Sequence, residues 1–247
     1  MVGPLVSLIT VAYNSEKTIA KTIESVLNQS YSNIEYTILD GKSEDKTVEV
    51  AESYKELFKE RNIKYTIISE EDNGMYDAIN KGVSLSKGVI IGNINSDDWY
   101  EPDAVLKVVQ KYDETGFDMV YGDLRVVKPT GNIIKKAKLK KFVSTRYWNH
   151  PTTFITAKTY KKFKYKMESM YDDCDLMLRI RKSNLKVVVI NEVLANFRFG
   201  GMSTKKDIRD TIERIKLRSK IYFNNGYYNP LYYIDGAVVE SAKFILS

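Results

Sequence analysis

Two adjacent carboxylates, Asp97 and Asp98, are the residues of this sequence that most directly indicate metal chemistry. They follow the apolar segment 89–94 and precede Pro102, the start of a predicted helix. Neighbouring carboxylates repel each other, so a folded protein tolerates them best beside a cation or at a helix N-terminus. Carboxylate oxygens are also ligands that Mg²⁺ and Mn²⁺ prefer, with diphosphate oxygens completing the coordination shell. The pattern by itself leaves a divalent metal site and a capped turn both open.

Glycine-rich phosphate-binding loops are absent from the sequence. Neither G-x-x-x-x-G-K-[ST] nor G-x-G-x-x-G occurs, which argues against a P-loop NTPase and against a dinucleotide-binding Rossmann domain. A bound diphosphate would need another partner for its charge, and a divalent metal at Asp97 is one that the sequence offers.

A second acidic cluster, Asp172, Asp173 and Asp175, opens a predicted helix over residues 172–183. A carboxylate in such a cluster can act as a general base, because like-charged neighbours raise its pKa. The helix dipole also favours acidic residues at a helix N-terminus, and this is the simpler interpretation of the residues alone. His150 is the only histidine of the chain, and a lone histidine is more often structural than functional.

The composition is that of a globular protein. The 247 residues are 43% hydrophobic and 28% charged, which fits one α/β domain with a substantial core. One cysteine and one histidine exclude an internal disulfide and a Cys/His zinc cluster. The N-terminal residues lack the features of a signal peptide, and no segment has the ~18–20 apolar residues of a membrane span. We therefore expect a cytoplasmic protein.

The charge is unevenly distributed along the chain. Residues 124–167 contain thirteen Lys and Arg and neither Asp nor Glu, although the net charge of the chain is only +6. Such a block is either a solvated face or a contact with an anionic partner, and no nucleic-acid-binding motif accompanies it. The segment from Thr204 to Tyr222 is basic and amphipathic, and 231–247 is aromatic and apolar. Both packing on the domain and reversible attachment at the inner face of the plasma membrane are open for these helices.

Alternating strand and helix patterns position these residues. The predicted strands are 5–12, 34–39, 63–69, 89–94, 119–124, 133–139 and 186–190. The predicted helices begin near Ser15, Ser43, Tyr76, Pro102, Asp172 and Thr204, and the second buries Val50, Tyr54, Leu57 and Phe58. The first half indicates a mostly parallel sheet with helices on both faces. Ligands bind such sheets at the carboxyl ends of the strands, where the polar residues fall.

Several segments in order resemble family 2 glycosyltransferases, in particular bacterial enzymes of exopolysaccharide, capsule and O-antigen synthesis. They are VSLITVAYNSEKTIAKTIESVLNQSYSNIEYTILDGKSEDKT, SEEDNGMYDAINKGVSLSKG, NINSDDWYEPD, YDDCDLMLRI and NFRFGGMS. The resemblance covers about residues 4–203. It implies a single GT-A domain over 1–203, with a Rossmann-like central sheet, followed by a C-terminal helical extension over 204–247. Within the domain it implies a nucleotide-sugar-binding half, 1–123, and an acceptor-binding half, 124–203.

The resemblance also implies a donor site. The residues that match donor-binding positions of the family are Ala12, Tyr13, Asn14, Asp40, Asp72, Lys81, Asn95, Ser96 and Asp97. Asp40 would accept a hydrogen bond from the base, typically uracil of a UDP-sugar. The family's Asp-x-Asp motif is Asn95-Ser96-Asp97 here, so Asp97 becomes the principal ligand of a Mn²⁺ or Mg²⁺ ion, with Asp98 assisting.

For the reaction, the resemblance implies an inverting transfer with Asp173 as general base. The acceptor would be a saccharide or a polyprenyl-diphosphate-linked oligosaccharide. Residues at matching positions that would contact the acceptor or the diphosphate are His150, Asp172, Arg179 and Gly201. Two other functions compete with this one: a nucleotidyltransferase, although VAYNSEKT has no glycine-rich phosphate loop, and a non-catalytic homologue that docks on membranes.

Overall fold

A computed structural model describes residues 3–200 and 208–246. The strands are β1 (Val6–Ala12), β2 (Ile34–Asp40), β3 (Lys64–Ser69), β4 (Ile90–Asn93), β5 (Trp99–Tyr100), β6 (Met119–Lys128), β7 (Gly131–Lys135), β8 (Phe154–Thr156) and β9 (Val187–Arg198). The helices are α1 (Ile19–Leu27), α2 (Thr47–Glu52), α3 (Lys55–Glu60), α4 (Met75–Leu85), α5 (Ala104–Thr115), α6 (Ala157–Tyr160), α7 (Asp172–Lys182), α8 (Ile208–Asn224) and α9 (Leu231–Leu246).

All of these strands belong to one sheet with the order β3-β2-β1-β4-β8-β6-β9-β5, and β7 pairs with β6. The strands β3, β2, β1 and β4 are mutually parallel, as the alternation of the first half predicts. The second half adds β8 and β6 through antiparallel pairs, whereas β9 runs parallel to β6. The α/β prediction is therefore confirmed, but the sheet is mixed, and its parallel strands are β1 to β4 together with the pair of β6 and β9.

Helices cover both faces of the sheet, and each face has its own core. Along β1 the side chains alternate between the faces, so that Val6 and Leu8 join one core while Ile9 and Val11 join the other. The helices α1 and α5 pack on the first face, and α4 and α7 pack on the second. Because both faces are buried, β1 is apolar nearly throughout, which is why its sequence predicts a parallel strand.

The helix predicted from Ser43 is two short helices, α2 and α3. The side chain of Asp45 accepts a hydrogen bond from the backbone N–H of Thr47, 2.9 Å away, so that the helix begins there and not at Ser43. A break at residues 53–54 rotates the second helix, which leaves Leu57 44% exposed while Phe58 is buried. The prediction that Leu57 faces the core was wrong, because it assumed one continuous helical period across the break.

Strand boundaries in the second half also differ from the predicted ones. The strand β7 runs from Gly131 to Lys135 and does not reach residue 139. Its hairpin with β6 starts at the pair of Lys128 and Gly131, around a two-residue turn, and ends at the pair of Leu124 and Lys135. Gly131 has a φ of +125°, which favours glycine at this position. The strand β9 continues to Arg198, beyond the predicted end at residue 190, by following β6 across a register shift. The exposed Glu192 interrupts the apolar pattern there, so the sequence hides the continuation.

The helices α8 and α9 pack on each other and on the domain. Arg218 of α8 and Glu240 of α9 form a buried ion pair, and Ser144 of the domain donates to Asp235 of α9 at 2.6 Å. None of the described helices is long and apolar enough to cross a membrane. Of the two interpretations open from the sequence, packing on the domain is present, and attachment to a membrane surface is a separate question.

Candidate active site

The carboxyl ends of the parallel strands bring the predicted donor residues to one edge of the sheet. The strand register aligns Ala12 with Asp40 and Asp40 with Ser69, and Ile9 with Asn93 two residues before Asn95. Residues that follow three different strands therefore meet where ligands bind in such sheets. The sequence predicts this convergence because each polar residue directly follows an apolar strand.

Asp40 lies at the floor of a narrow cleft. Its carboxylate is 2% exposed and accepts hydrogen bonds from the backbone N–H of Ser43 at 3.0 Å and from the Ser69 hydroxyl at 2.6 Å. The residues that line the cleft are Leu39, Asp40, Ile68, Glu70, Asp72, Ala78 and Lys81. Lys81 pairs with Glu70 at its rim. The cleft is thus lined both by the apolar side chains of Leu39, Ile68 and Ala78 and by charged side chains that neighbours hold in place.

The loop after β1 supplies an aromatic side chain beside this cleft. Asn14 has a φ of +46° and is held by Ser43, whose hydroxyl accepts its backbone N–H at 2.8 Å. Tyr13 is 61% exposed. Its ring approaches Gly41, where an added Cβ would lie 3.5 Å from the ring and 2.9 Å from the Asp72 carboxylate. A planar ligand at the mouth of the cleft would find the Tyr13 ring available for stacking.

The loop after β4 presents Asp97 and hides Asp98. Thr22 of α1 donates to the backbone carbonyl of Asp98 at 2.6 Å, and the hydroxyls of Ser15 and Ser96 lie 2.7 Å apart. Asp97 remains partly exposed, and burial raises the pKa of its carboxyl. Asp98 is fully buried, and burial, followed by the charge of Asp97, raises the pKa of its carboxyl well above the usual value. The two adjacent carboxylates therefore occupy different environments.

Arg198, at the end of β9, connects the loop after β4 to β9 by two hydrogen bonds. Its backbone N–H donates to Asp98 Oδ1 at 3.0 Å and its Nε donates to the Asp97 carbonyl at 3.3 Å. The second oxygen of Asp98, Oδ2, is buried without a hydrogen-bond partner among the described residues. Arg198 lies in NFRFGGMS, so the resemblance contains it, but nothing in the sequence pairs it with a loop 100 residues earlier.

The residues present fit a divalent cation at Asp97 with few protein ligands. No group of three or more His, Cys, Asp and Glu within the described ranges could hold a metal by itself. An accessible carboxylate at Asp97, backed by the unpartnered Asp98 Oδ2, is a donor set that Mg²⁺ or Mn²⁺ accepts when diphosphate oxygens and water supply the rest. Asn95 offers only an amide, and its buried Oδ1 has no hydrogen-bond partner within residues 3–200 and 208–246.

Asp173 stands in the first turn of α7, facing His150. Its Oδ1 accepts from the backbone N–H of Cys174 at 2.7 Å, and its Oδ2 lies 4.0 Å from Nδ1 of His150. Burial lowers the pKa of His150, and the charge of Asp173 partly opposes that shift. Nε2 of His150 lies 3.3 Å from the Tyr165 hydroxyl. A neutral histidine beside a partly exposed carboxylate is an arrangement suited to proton transfer.

The helix α4 connects the cleft at Asp40 to the surroundings of Asp173. It begins three residues after Asp72, at Met75, and its Asn80 exchanges two hydrogen bonds with the backbone of Tyr165, at 2.8 and 3.1 Å. The rings of Tyr76 and Tyr165 stack with centroids 5.1 Å apart. Burial, and to a smaller degree the charge of Asp173, raises the pKa of both hydroxyls. Sequence reasoning did not single out these tyrosines, and an aromatic residue at the start of a helix gives no signal of this role.

Two other predicted contact residues are engaged inside the protein. Asp172 is buried and accepts from the backbone N–H groups of Ser169 at 2.9 Å and Glu168 at 3.2 Å, so that it closes the turn before α7. Arg179 donates from Nε to Asp175 at 2.7 Å. Both side chains stabilise the surroundings of Asp173. Gly201 lies outside the described residues.

The comparisons with known proteins agree with this geometry. Residues 7–187 match the family described as Glycosyl transferase family 2. The chain is 37% identical over 133 residues to chondroitin synthase of Pasteurella multocida, which covers 53% of this chain but only 13% of that protein.

Solved structures share the fold at low identity. TarS 1-349 of S. aureus in complex with UDP-GlcNAc has a TM-score of 0.68 at 16% identity, covering 98% of this chain and 73% of that one. Mannosyltransferase PcManGT from Pyrobaculum calidifontis in complex with GDP-Man and Mn²⁺ has a TM-score of 0.71 at 15% identity, covering 99% and 71%. The fold is therefore the GT-A fold of these enzymes, and with a family match over most of its length the chain belongs to glycosyl transferase family 2.

Proposed function

We propose that the protein is an inverting glycosyltransferase that moves a sugar from a nucleotide-sugar, in the first instance a UDP-sugar, to a hydroxyl of a saccharide or lipid-linked saccharide of bacterial surface polysaccharide synthesis. One observation carries the proposal: a single helix, α4, joins the cleft at Asp40 and Asp72 to the tyrosines beside Asp173 and His150. A donor bound at the cleft and a base beside it are the two parts that such a transfer needs. We assign residues 1–123 to donor binding and 124–203 to acceptor binding.

We place the donor's base at the mouth of the cleft, because the cleft itself, at about 10 Å³, is too small to contain a base. The Asp40 carboxylate would accept the N3–H of uracil, and the exposed ring of Tyr13 would stack on the base. The neighbour structures carry UDP-GlcNAc and GDP-Man, which supports a nucleotide-sugar as donor class. At 16% and 15% sequence identity, these two structures do not indicate which nucleotide base the donor of this protein carries.

The diphosphate belongs near Asp97. A divalent ion held there, Mn²⁺ or Mg²⁺, would offset the charge that develops on the departing nucleoside diphosphate. Asp97 supplies the accessible carboxylate, and Asp98, through its bond to the N–H of Arg198, keeps the loop in place. The Mn²⁺ of the PcManGT neighbour supports a metal in this class of site.

Asp173 takes the proton of the acceptor hydroxyl. The acceptor oxygen forms a bond to the anomeric carbon as the bond from that carbon to the β-phosphate oxygen breaks, and the configuration inverts. The proton passes to Asp173, and the nucleoside diphosphate leaves with the electron pair. His150, held neutral by burial, orients the Asp173 carboxylate or the acceptor hydroxyl.

The proposal is tested by a panel of nucleotide sugars with Mn²⁺, scoring transfer and nucleoside diphosphate release. Asp173→Asn should lower turnover by a factor of about 10²–10⁴, the contribution of general acid–base catalysis. Ser169→Ala is a matched control in the same turn, since it removes the hydroxyl's bonds to the Asp172 carboxylate and from the Tyr171 N–H and leaves the Asp173 side chain intact. Unchanged turnover of Asp173→Asn removes Asp173 as base. Pyrophosphate release from a nucleoside triphosphate and a sugar phosphate would instead establish the rival nucleotidyltransferase.

We also propose that the protein attaches to an anionic phospholipid surface through α9 and the adjacent basic loop. The outward face of α9 carries a shallow apolar groove lined by Tyr233, Ile234, Ala237, Val238, Ser241 and Ala242. Its acidic residues point inward, where Asp235 accepts from Ser144 and Glu240 pairs with Arg218. The groove is exposed and its lining residues carry no charge, and an exposed apolar surface of this kind marks an interaction site.

Positive charge lies in the loop that contacts the first turn of α9. Phe142 stacks on Tyr232, a buried residue of α9, at 4.3 Å. The preceding residues Lys138, Lys140 and Lys141 are exposed with no ion-pair partner in the part of the chain that the structure describes. Apolar side chains beside lysines suit a bilayer whose headgroups are anionic. This attachment would bring the site to a lipid-linked acceptor.

Flotation with vesicles of phosphatidylcholine containing 30% or no phosphatidylglycerol, at ~50 mM salt, tests the attachment. We expect binding only to the anionic vesicles, lost on reversing Lys138, Lys140 and Lys141 to Glu. Reversal of Lys158, Lys161 and Lys162, which are exposed lysines of the same basic block, is the matched control and should retain binding. Equal loss in both triple variants, no binding by the parent protein, or a dimer that buries the α9 face would contradict the proposal.

A further inference from the structure

The C-terminal segment contacts α7 at successive turns. The side chain of Asn225, just after α8, donates to Asp175 Oδ1 at 2.8 Å, and its backbone carbonyl accepts from Lys182 Nζ at 2.8 Å. The Tyr227 hydroxyl donates to the carbonyl of Leu178 at 3.2 Å. These three bonds span α7 from its first turn to its last.

A fourth contact reaches the residue that precedes α7. The guanidinium of Arg218 lies 4.6 Å from the ring centroid of Tyr171, which is the N-cap residue of α7. Arg218 is itself fixed by Glu240 of α9 and by Thr145. Asp173 therefore sits between Tyr171 and Asp175, two residues that α8 and the residues after it contact directly. Lys166 at 3.0 Å and Arg179 at 2.7 Å also hold the Asp175 carboxylate.

Three neighbours lie at the Asp173 carboxylate, and one of them is the Tyr76 hydroxyl, which interacts with it. One carboxylate oxygen accepts from the adjacent backbone N–H, and the other is 4.0 Å from His150, beyond hydrogen-bond distance. An 11-residue helix is marginal by itself, so its placement depends on what packs against it. The position of the carboxylate is then the position of the first turn of α7.

We propose that Asn225, supported by Arg218 and Tyr227, is a positioning residue that sets the carboxylate of Asp173 for reaction. The C-terminal helices thus act in catalysis through α7, without touching substrate. The inference rests on the proposed role of Asp173 as base. It predicts an effect on turnover that is separate from donor binding, because the donor cleft is built from residues 39–81.

The test compares steady-state kinetics of Asn225→Ala and Tyr227→Phe with the parent protein. A displacement of about 1 Å in a catalytic group can cost about 100-fold in rate, so we expect kcat to fall by about 10–100-fold for Asn225→Ala. Tyr227→Phe, which keeps the ring and loses one bond, should fall by a smaller factor. The KM for the donor and the Kd for UDP should stay within about two-fold of the parent values.

Ser144→Ala is the matched control, since it removes a 2.6 Å bond between the domain and α9 that does not involve α7. A control that loses as much kcat as Asn225→Ala makes the effect merely structural and overturns the proposal, as does a kcat of Asn225→Ala within two-fold of the parent. If Asn225→Ala fails to fold, Tyr227→Phe decides by the same criteria.

Asp173→Asn distinguishes a wrong assignment of the base from a wrong assignment of the positioning residue. If Asp173→Asn is inactive and the Asn225 and Tyr227 variants have normal kcat, only the positioning role is wrong. If Asp173→Asn retains full turnover, the proposed base is wrong and the positioning role falls with it.

Discussion

Gly92 in β4 leaves no room for a side chain, and its replacement tests how tightly the strand beneath the donor loop is packed. A Cβ at Gly92 would lie 2.4 Å from Cε1 and 2.7 Å from Cδ1 of the Phe154 ring, and 3.0 Å from the hydroxyl of Tyr100. Phe154 is fully buried on the neighbouring strand β8, so its ring has no free volume to enter. Gly92→Ala therefore forces either the ring or the β4–β8 pairing to move.

The sign of the effect is informative. In a strand conformation, Gly→Ala without a clash stabilises a protein by about 0.4–1 kcal/mol, because the unfolded chain loses conformational freedom. Overpacking of a filled core costs about 1–3 kcal/mol. We expect Gly92→Ala to lower the free energy of unfolding by about 1–3 kcal/mol, which for a chain of this length lowers Tm by about 2–12 °C.

Urea unfolding followed by far-UV circular dichroism measures the change, and a double-mutant cycle assigns it to the ring. Phe154→Leu alone should destabilise by leaving a cavity. In the double variant Gly92→Ala/Phe154→Leu the smaller side chain makes room, so the loss should be less than the sum of the single losses by about 0.5–3 kcal/mol. A Gly92→Ala protein as stable as the parent, or strictly additive losses, would refute the reasoning.

Three further predictions concern the site and its supports. Asp97→Asn should lower kcat/KM by about 100-fold or more and abolish stimulation by Mn²⁺, measured by transfer assays with and without chelator. Burial holds the pKa of His150 below its unfolded value of about 6.5, so protonation favours the unfolded chain, and stability should fall as pH drops below 6.5. His150→Gln should lose this part of the pH dependence. Urea midpoints at pH 7.5 and 5.5 measure the difference. Arg218→Met should cost about 3–5 kcal/mol, because it removes the cation of the buried ion pair with Glu240. Adding Glu240→Leu should recover most of that loss, and no recovery would contradict the ion-pair explanation.

Local sequence patterns suffice to predict the parallel half of the fold and to propose a ligand site at its edge. The apolar run of β1 is followed by Tyr13 and Asn14, and Asp40 and Asp97 follow their own strands. Burial on two faces makes each such strand a continuous apolar run, and parallel strands end on the same side of the sheet, so these residues indicate a ligand edge before any contact is known. The proposal of Asp173 as a base needed more than local pattern, since acidic residues at a helix N-terminus have a simpler explanation.

Only the tertiary structure distinguishes the roles of neighbouring residues. Asp97 and Asp98 are adjacent in sequence, yet one is partly exposed and the other is buried against the N–H of Arg198, 100 residues away. Asp172 closes a turn while Asp173 faces His150. Such differences depend on which distant segment packs against each loop or helix, because consecutive side chains there point in different directions. The sequence by itself determined which segments carry chemistry, and the packing of distant segments decided which side chain each segment presents.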